Sequence, residues 1–235
     1  MEIVDILKLP KIQRQRIPVK TLVEQLQPTS SDKKLLEQHI ESMYLISLLN
    51  EQTIRIRSYV DENYSFQAIY VFEVNLKKED SLTQLSQLIH SAFPESSLLV
   101  LKKGDNHYLS GAIKRINKND IEKTVIEDLV YTKIKDIQDV NIIDLQGYNL
   151  KEYYTAIFEY IYKLKVYLIT NVFPKGNHNY KEVLKKYDAL VANINRLKEE
   201  YKKATMKAEK LRIDDELFDQ EIELKQLIKK LKGAK

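Results

Sequence analysis

The sequence predicts an α+β protein: an α-β-β-α-β-β body with a mostly antiparallel sheet, followed by a C-terminal helical, coiled-coil region. Three observations predict it. Up to about residue 117 the chain runs in short apolar stretches of helical or strand period. From about residue 149 it runs in long helical patterns that end in a Lys- and Glu-rich heptad segment. No internal repeat and no long polar linker interrupts the chain, so two regions are expected, a body over 1–145 and a helical region over 146–235.

Each element follows from local chemistry. Residues 8–20 carry Lys8, Lys11, Arg14, Arg16 and Lys20 with no acid. Pro10 and Pro18 argue against a helix there, so an extended basic arm is expected. Thr29-Ser30-Ser31-Asp32 has capping-box spacing, and Leu35, Leu36, Ile40, Met43 and Tyr44 continue a helical stripe to about Asn50. Ile54, Ile56, Ser58 and Val60 alternate with Arg55, Arg57 and Tyr59, the pattern of a half-buried strand. Residues 66–77, rich in aromatic and β-branched side chains, make the central strand. Ser81 caps a helix bearing Leu82, Leu85, Leu88 and Ile89, and Pro94 ends it. Residues 98–101 and 108–116 pair through a turn at Lys103-Gly104-Asp105-Asn106. Residues 119–145 stay ambiguous: Ile121, Val125, Ile126 and Leu129 have helical spacing, whereas 140–145 has the character of a strand.

The C-terminal region is more regular. Asn149, with Glu152 three residues on, starts a helix over 150–170 that is apolar on more than one stripe. Pro174-Lys175-Gly176-Asn177 breaks it. From Tyr180, the residues Tyr187, Leu190, Ile194, Leu197, Tyr201, Ala204, Ala208 and Leu211 form a heptad seam. The seam slips near Ile213-Asp214-Asp215, so an antiparallel hairpin is expected to turn there, with Asp214 or Asp215 capping the return helix.

Composition narrows the function. With no cysteine, disulfides, thiolate catalysis and Cys-based metal sites are excluded. No apolar run approaches the ~20 residues of a membrane span, and Met1-Glu2-Ile3-Val4-Asp5 lacks the basic start of a secretory signal, so a cytoplasmic protein is expected. A formal net charge of +4 is too small to demonstrate nucleic-acid binding by itself. The five glycines build no phosphate loop, and His39, His90, His107 and His178 have no metal-ligand spacing.

Two constellations remain. On the central strand Glu73, Asn75 and Lys77 share a face, and Asp61 lies just upstream. That order resembles restriction-type nucleases, in which carboxylates hold Mg²⁺ and the Lys stabilises charge. Asp61, Glu73 and Lys77 are the catalytic set under that alternative, with Mg²⁺ as its cofactor. The plainer reading is a solvated sheet face. The second set is basic: Lys8, Lys11, Arg14, Arg16, Lys20, Arg55, Arg57, Lys114 and Arg115, candidates for phosphate contact that is blind to sequence. For the helices, Tyr187, Leu190, Ile194, Leu197, Tyr201 and Leu211 are the candidate partner-binding residues.

Leu9-Pro10, Arg16-Ile17-Pro18-Val19-Lys20, Asp32-Lys33-Lys34-Leu35-Leu36 and, later, residues 109–117 (Leu-Ser-Gly-Ala-Ile-Lys-Arg-Ile-Asn) resemble a bacterial family, domain of unknown function 4391. Members of that family sit beside genes for helicases and DNA methyltransferases, in clusters that look like restriction or anti-phage defence systems. The resemblance therefore implies a small accessory subunit of a DNA-processing complex and transfers no catalytic residue. The expectation is a non-enzymatic subunit with no cofactor and no membrane contact. It binds a helicase or methyltransferase, with DNA as a second contact. The alternatives are the Mg²⁺-dependent nuclease and a homodimeric scaffold joined by the C-terminal helices.

Overall fold

The computed structural model describes residues 2–26, 28–175 and 179–232, with all their side chains except those of 121 and 122. The chain forms two compact units, Met1–Lys165 and Val166–Lys235. Gly176, Asn177 and His178, and the side chain of Ile121, lie outside the described residues. Among the described residues no helix is long and apolar enough to cross a membrane.

The first unit is a six-stranded sheet in the order β1-β2-β5-β6-β7-β8, with helices on both faces. Its elements run α1 (Ile3–Ile6), β1 (Gln15–Ile17), α2 (Val19–Leu26), α3 (Ser30–His39), β2 (Ile40–Leu49), α4 (Glu51–Ile54), β3 (Tyr59–Val60) and β4 (Ser65–Phe66). They continue as β5 (Ile69–Leu76), α5 (Leu82–Ala92), β6 (Ser96–Lys103), β7 (Asn106–Asn117), β8 (Asp120–Ile134) and the start of α6 (Leu150–Thr170). All neighbours pair antiparallel except β5 and β6, which are parallel because α5 carries the chain back across the sheet. The mixed, mostly antiparallel body is the expected one.

Strand parity sorts the core into two layers. Val71, Leu98, Val100, Leu109 and Val130 join α1 and the apolar side of α6, including Tyr153, Tyr154, Ile157 and Ile161. Phe72, Val74, Leu76, Leu99 and Leu101 face α2, α3 and α5 through Leu22, Leu36, Leu85 and Ile89. A sheet buried on both faces explains the near-continuous apolar runs of β5 and β6. Gly111 permits the close approach of α6, since a Cβ there would lie 3.3 Å from both Ile161 and Phe158.

Several caps behave as expected. The Thr29 hydroxyl accepts from the Asp32 amide at 3.2 Å, and the Asn149 side chain accepts from the Glu152 amide at 3.0 Å. Phe93, the residue before Pro94, is extended and ends α5. Gly104, at φ 56, turns β6 into β7. Ser81 immediately precedes α5, but it is left-handed and makes no side-chain cap bond.

Two elements differ from expectation, and the ambiguous segment takes one form. The helix begun at Ser30 stops at His39, and 40–49 form the inner strand β2. The apolar positions of a strand buried on both faces imitate a helical stripe, so period alone does not separate them. The expected strand over 54–60 is a helical turn, then an irregular link, then the short hairpin β3–β4. Asn50 accepts from the amides of Gln52 and Thr53 while Thr53 accepts from the Asn50 amide, and this capping box overrides the alternation. Of the ambiguous segment, 120–134 form the long edge strand β8, in register with β7 despite their helical spacing, and 140–145 form no strand.

In the second unit, α7 (Tyr180–Lys203) and α8 (Lys207–Lys232) make the expected antiparallel hairpin, but it turns at 204–206. Asp214 and Asp215 are exposed positions inside α8 and cap nothing. The division expected at 145/146 groups all of α6 with the helical region, whereas by compactness its residues up to Lys165 go with the body.

Candidate functional site

The three residues of the nuclease alternative have different partners. Asp61 shapes the β3–β4 turn, its carboxylate accepting from the amides of Asn63 and Tyr64 and from the Tyr59 hydroxyl at 2.7–2.8 Å, with Lys151 at 3.4 Å. The Tyr59 hydroxyl first, then the Asn63 amide, hold its pKa down to about 2. Lys77 donates to the Glu37 carbonyl at the end of α3 (2.8 Å). Glu73 is buried and paired with Arg14 at 2.8 Å. Among the described residues no group of three His, Asp or Glu side chains is arranged to hold a metal ion.

Glu73 nevertheless lies at the centre of the most distinctive polar surface. The register sets Arg16 opposite Tyr44, Tyr44 opposite Glu73, Ser42 opposite Asn75, Asn75 beside Lys102, and Lys102 opposite His107. Residues opposed in this way share a sheet face, so these side chains form one patch over β1, β2, β5, β6 and β7. Four strand spacings of ~4.8 Å make it about 19 Å wide. It occupies the carboxyl ends of the two parallel strands, where open α/β sheets bind ligands.

Hydrogen bonds organise the centre of the patch. The Arg14 guanidinium stacks on the Tyr44 ring, 3.9 Å from its centroid, while donating to Glu73. Asn75 donates to Ser42 at 2.9 Å and to Glu73 at 3.3 Å. Burial, then the charge of Lys102, pull the His107 imidazole below its ordinary pKa, so it is neutral at neutral pH and offers a hydrogen bond without a charge. Arg14, Arg16 and Lys102 give this surface three cations, while Glu73 is its buried carboxylate and Glu2 and Asp105 lie at its margins.

Of the nine basic candidates, then, Arg14 and Arg16 belong to the patch. Lys11 pairs with Asp5 at 2.5 Å, Lys20 with Glu24 at 3.5 Å and Arg115 with Glu127 at 3.3 Å. Lys8 and Arg55 are exposed at positive φ, and the Arg57 carbonyl receives the first amide of α6. Lys114 is buried beneath α5 and has no phosphate-facing surface. Lys102, His107 and Tyr44 are additions that sequence reasoning missed, whereas it places Asn75 on the Glu73 face without a role. The four-residue turn at Gly104 sets Lys102 opposite His107, a hairpin register that was the available signal.

The sequence profile of one family, described as domain of unknown function (DUF4391), matches residues 7–231. The chain belongs to this family. No curated protein and no solved structure matches it.

In this DUF4391 chain the helical candidates divide by burial. Leu190, Ile194 and Leu197 are buried, and Leu197 clusters with Ala204, Ile213 and Leu217 across the hairpin. Tyr187 is half-buried, and Tyr201 is partly exposed beneath Lys210, whose ammonium lies 5.5 Å from its ring. Leu211 is 57% exposed and joins Phe218 at 65% and Ile222 at 38%, so most of the apolar surface the hairpin helices offer to solvent lies on α8.

Proposed function

We propose that this DUF4391 protein is a non-enzymatic accessory subunit of a bacterial restriction or anti-phage defence complex. It binds a helicase or DNA methyltransferase and touches the nucleic-acid backbone with the open sheet face at the ends of β5 and β6. The observation that carries the nucleic-acid contact is the row of Arg14, Arg16 and Lys102 across that face, with Glu73 as its one buried carboxylate. Cations held at strand spacing suit a phosphate backbone and read no base edge. Glu73 positions Arg14, and the Tyr44 ring holds the guanidinium plane, so this cation is ordered before any ligand arrives. The complex itself rests on the family's setting beside helicase and methyltransferase genes.

Binding of a labelled oligonucleotide to the full chain is expected to weaken steeply with salt. Replacing Arg16 and Lys102 together by Ala is expected to reduce the slope of log K against log[salt] by about 2, roughly one per lost phosphate contact. An unchanged slope in the double variant would show that the patch is not the contact. For the complex, the tagged chain is captured from its native host with and without nuclease treatment. A helicase or methyltransferase retained after nuclease supports the accessory role, and recovery of the chain alone counts against it.

A further inference from the structure

Helix α8 carries two separate seams. One, formed by Ile213, Leu217 and Gln220, turns toward α7: Ile213 and Leu217 pack with Leu197 and Ala204, Asn193 donates to Gln220 at 3.1 Å, and Lys198 pairs with the adjacent Glu221 at 2.9 Å. The other comprises Leu211, Asp215, Phe218, Ile222, Lys225 and Lys229, all exposed. Their spacing of four, three, four, three and four residues is that of a heptad seam. Three large apolar side chains of this seam, Leu211 at its end and Phe218 and Ile222 at its centre, face water, although nothing in the hairpin needs them there.

We propose that this outer seam pairs with the same seam of a second copy, antiparallel about a two-fold axis. The charges select the register. Antiparallel pairing that sets Phe218 against the partner's Ile222 also sets Asp215 against the partner's Lys225, and Leu211 against the aliphatic stem of the partner's Lys229. The two-fold axis makes each contact twice. A parallel, in-register pair would instead oppose Asp215 to Asp215 and Lys225 to Lys225. An antiparallel pair centred on Phe218 would oppose Asp215 to Glu221. Asp215 and Lys225 form no close ion pair within the chain among the described residues, and Lys225, whose charge acts on Glu221 one turn away, can still meet the partner's Asp215. Two like-charge meetings flank the axis, Glu221 with its copy and Asp219 with its copy. Lys198 already neutralises the first, and the second limits the affinity. The inference is independent of nucleic-acid contact.

Sedimentation equilibrium of the full chain tests it, over roughly 1 to 100 µM, where a small interface of this kind dissociates. The mass is expected to rise toward twice 27.7 kDa with concentration. Asp215→Lys alone and Lys225→Asp alone each create two like-charge pairs and are expected to weaken association at least about tenfold. Combining both substitutions in one chain, or mixing the two single variants, restores opposite charges at both contacts and is expected to restore the dimer. Asp219→Asn is expected to tighten it. All these positions are exposed, and unchanged helical circular dichroism checks the fold. A wild-type chain monomeric throughout the range overturns the proposal and leaves the seam to another protein. A dimer that forms but ignores the charge swaps also overturns it, because the contact then lies elsewhere.

Discussion

Tyr154→Phe is expected to lower the stability of the body by about 3 kcal/mol, because it orphans buried backbone groups rather than merely removing an oxygen. The β6–β7 ladder ends at the Leu98–Gly111 pair. Just beyond, the fully buried Tyr154 hydroxyl accepts from the Ala112 amide at 3.0 Å and donates to the Ser97 carbonyl at 2.6 Å. It thus fills the gap where a further ladder bond would lie. Burial pushes its phenol pKa far up, so it stays protonated and able to donate. Removing it leaves an amide and a carbonyl without partners in an apolar layer, each costing roughly 1–3 kcal/mol. At about 3 °C per kcal/mol for a chain of this size, the melting temperature falls by about 9 °C. Tyr153→Phe is the control: its hydroxyl gives one bond, to the Ile142 carbonyl at 3.1 Å, and orphans no amide. Its cost is expected to be about 1 kcal/mol. Equal melting of the two variants would mean that Tyr154 is not closing the ladder.

What the sequence revealed and concealed divides along the range of the interactions. β5, the β6–β7 turn at Gly104, and the Asn149–Glu152 start of α6 were legible because each is decided within a few residues. β2 was not, because burial on both faces erased the period that distinguishes it from a helix. The hairpin turn at 204–206 carries no glycine or proline, whereas the Asp pair that looked like a cap is solvated helix surface. In the candidate site, parity alone puts Glu73 and Asn75 on one face. That Arg14 comes from 59 positions away to hold Glu73 is decided by the pairing of β1 with β2, a tertiary event. The clearest failure is Lys114, grouped by composition with surface cations and found in the core.

Lys114 carries the second large prediction, a pH-dependent one. Its ammonium donates to the carbonyls of Phe93 and Glu95 at 2.8 and 2.7 Å and reaches the Ser97 hydroxyl at 3.3 Å, closing the C-terminal end of α5 over the sheet. Ser97 also bonds one nitrogen of the fully buried His90, and Ser110 bonds the other. Burial pushes the Lys114 amine down to about 7, against the opposing charge of Glu95. Burial first, then Lys114, drive the His90 imidazole well below its usual value. For both bases the unfolded chain therefore holds a proton that the folded chain has shed, and stability rises with pH. The His90 window closes near its unfolded value of about 6.5, and the Lys114 window runs from about 7 toward about 10.5. Lys114→Met orphans two carbonyls and is expected to cost about 2 kcal/mol at pH 7. Because the variant lacks the upper window, its deficit is expected to widen by about 2 kcal/mol more between pH 7 and 9. Denaturant titrations at half-unit pH steps measure this directly. Parallel stability curves for wild type and Lys114→Met above pH 7 would show that the three oxygen acceptors keep the buried amine charged. Its role would then be that of a fixed cation on the end of α5, with no proton shed on folding.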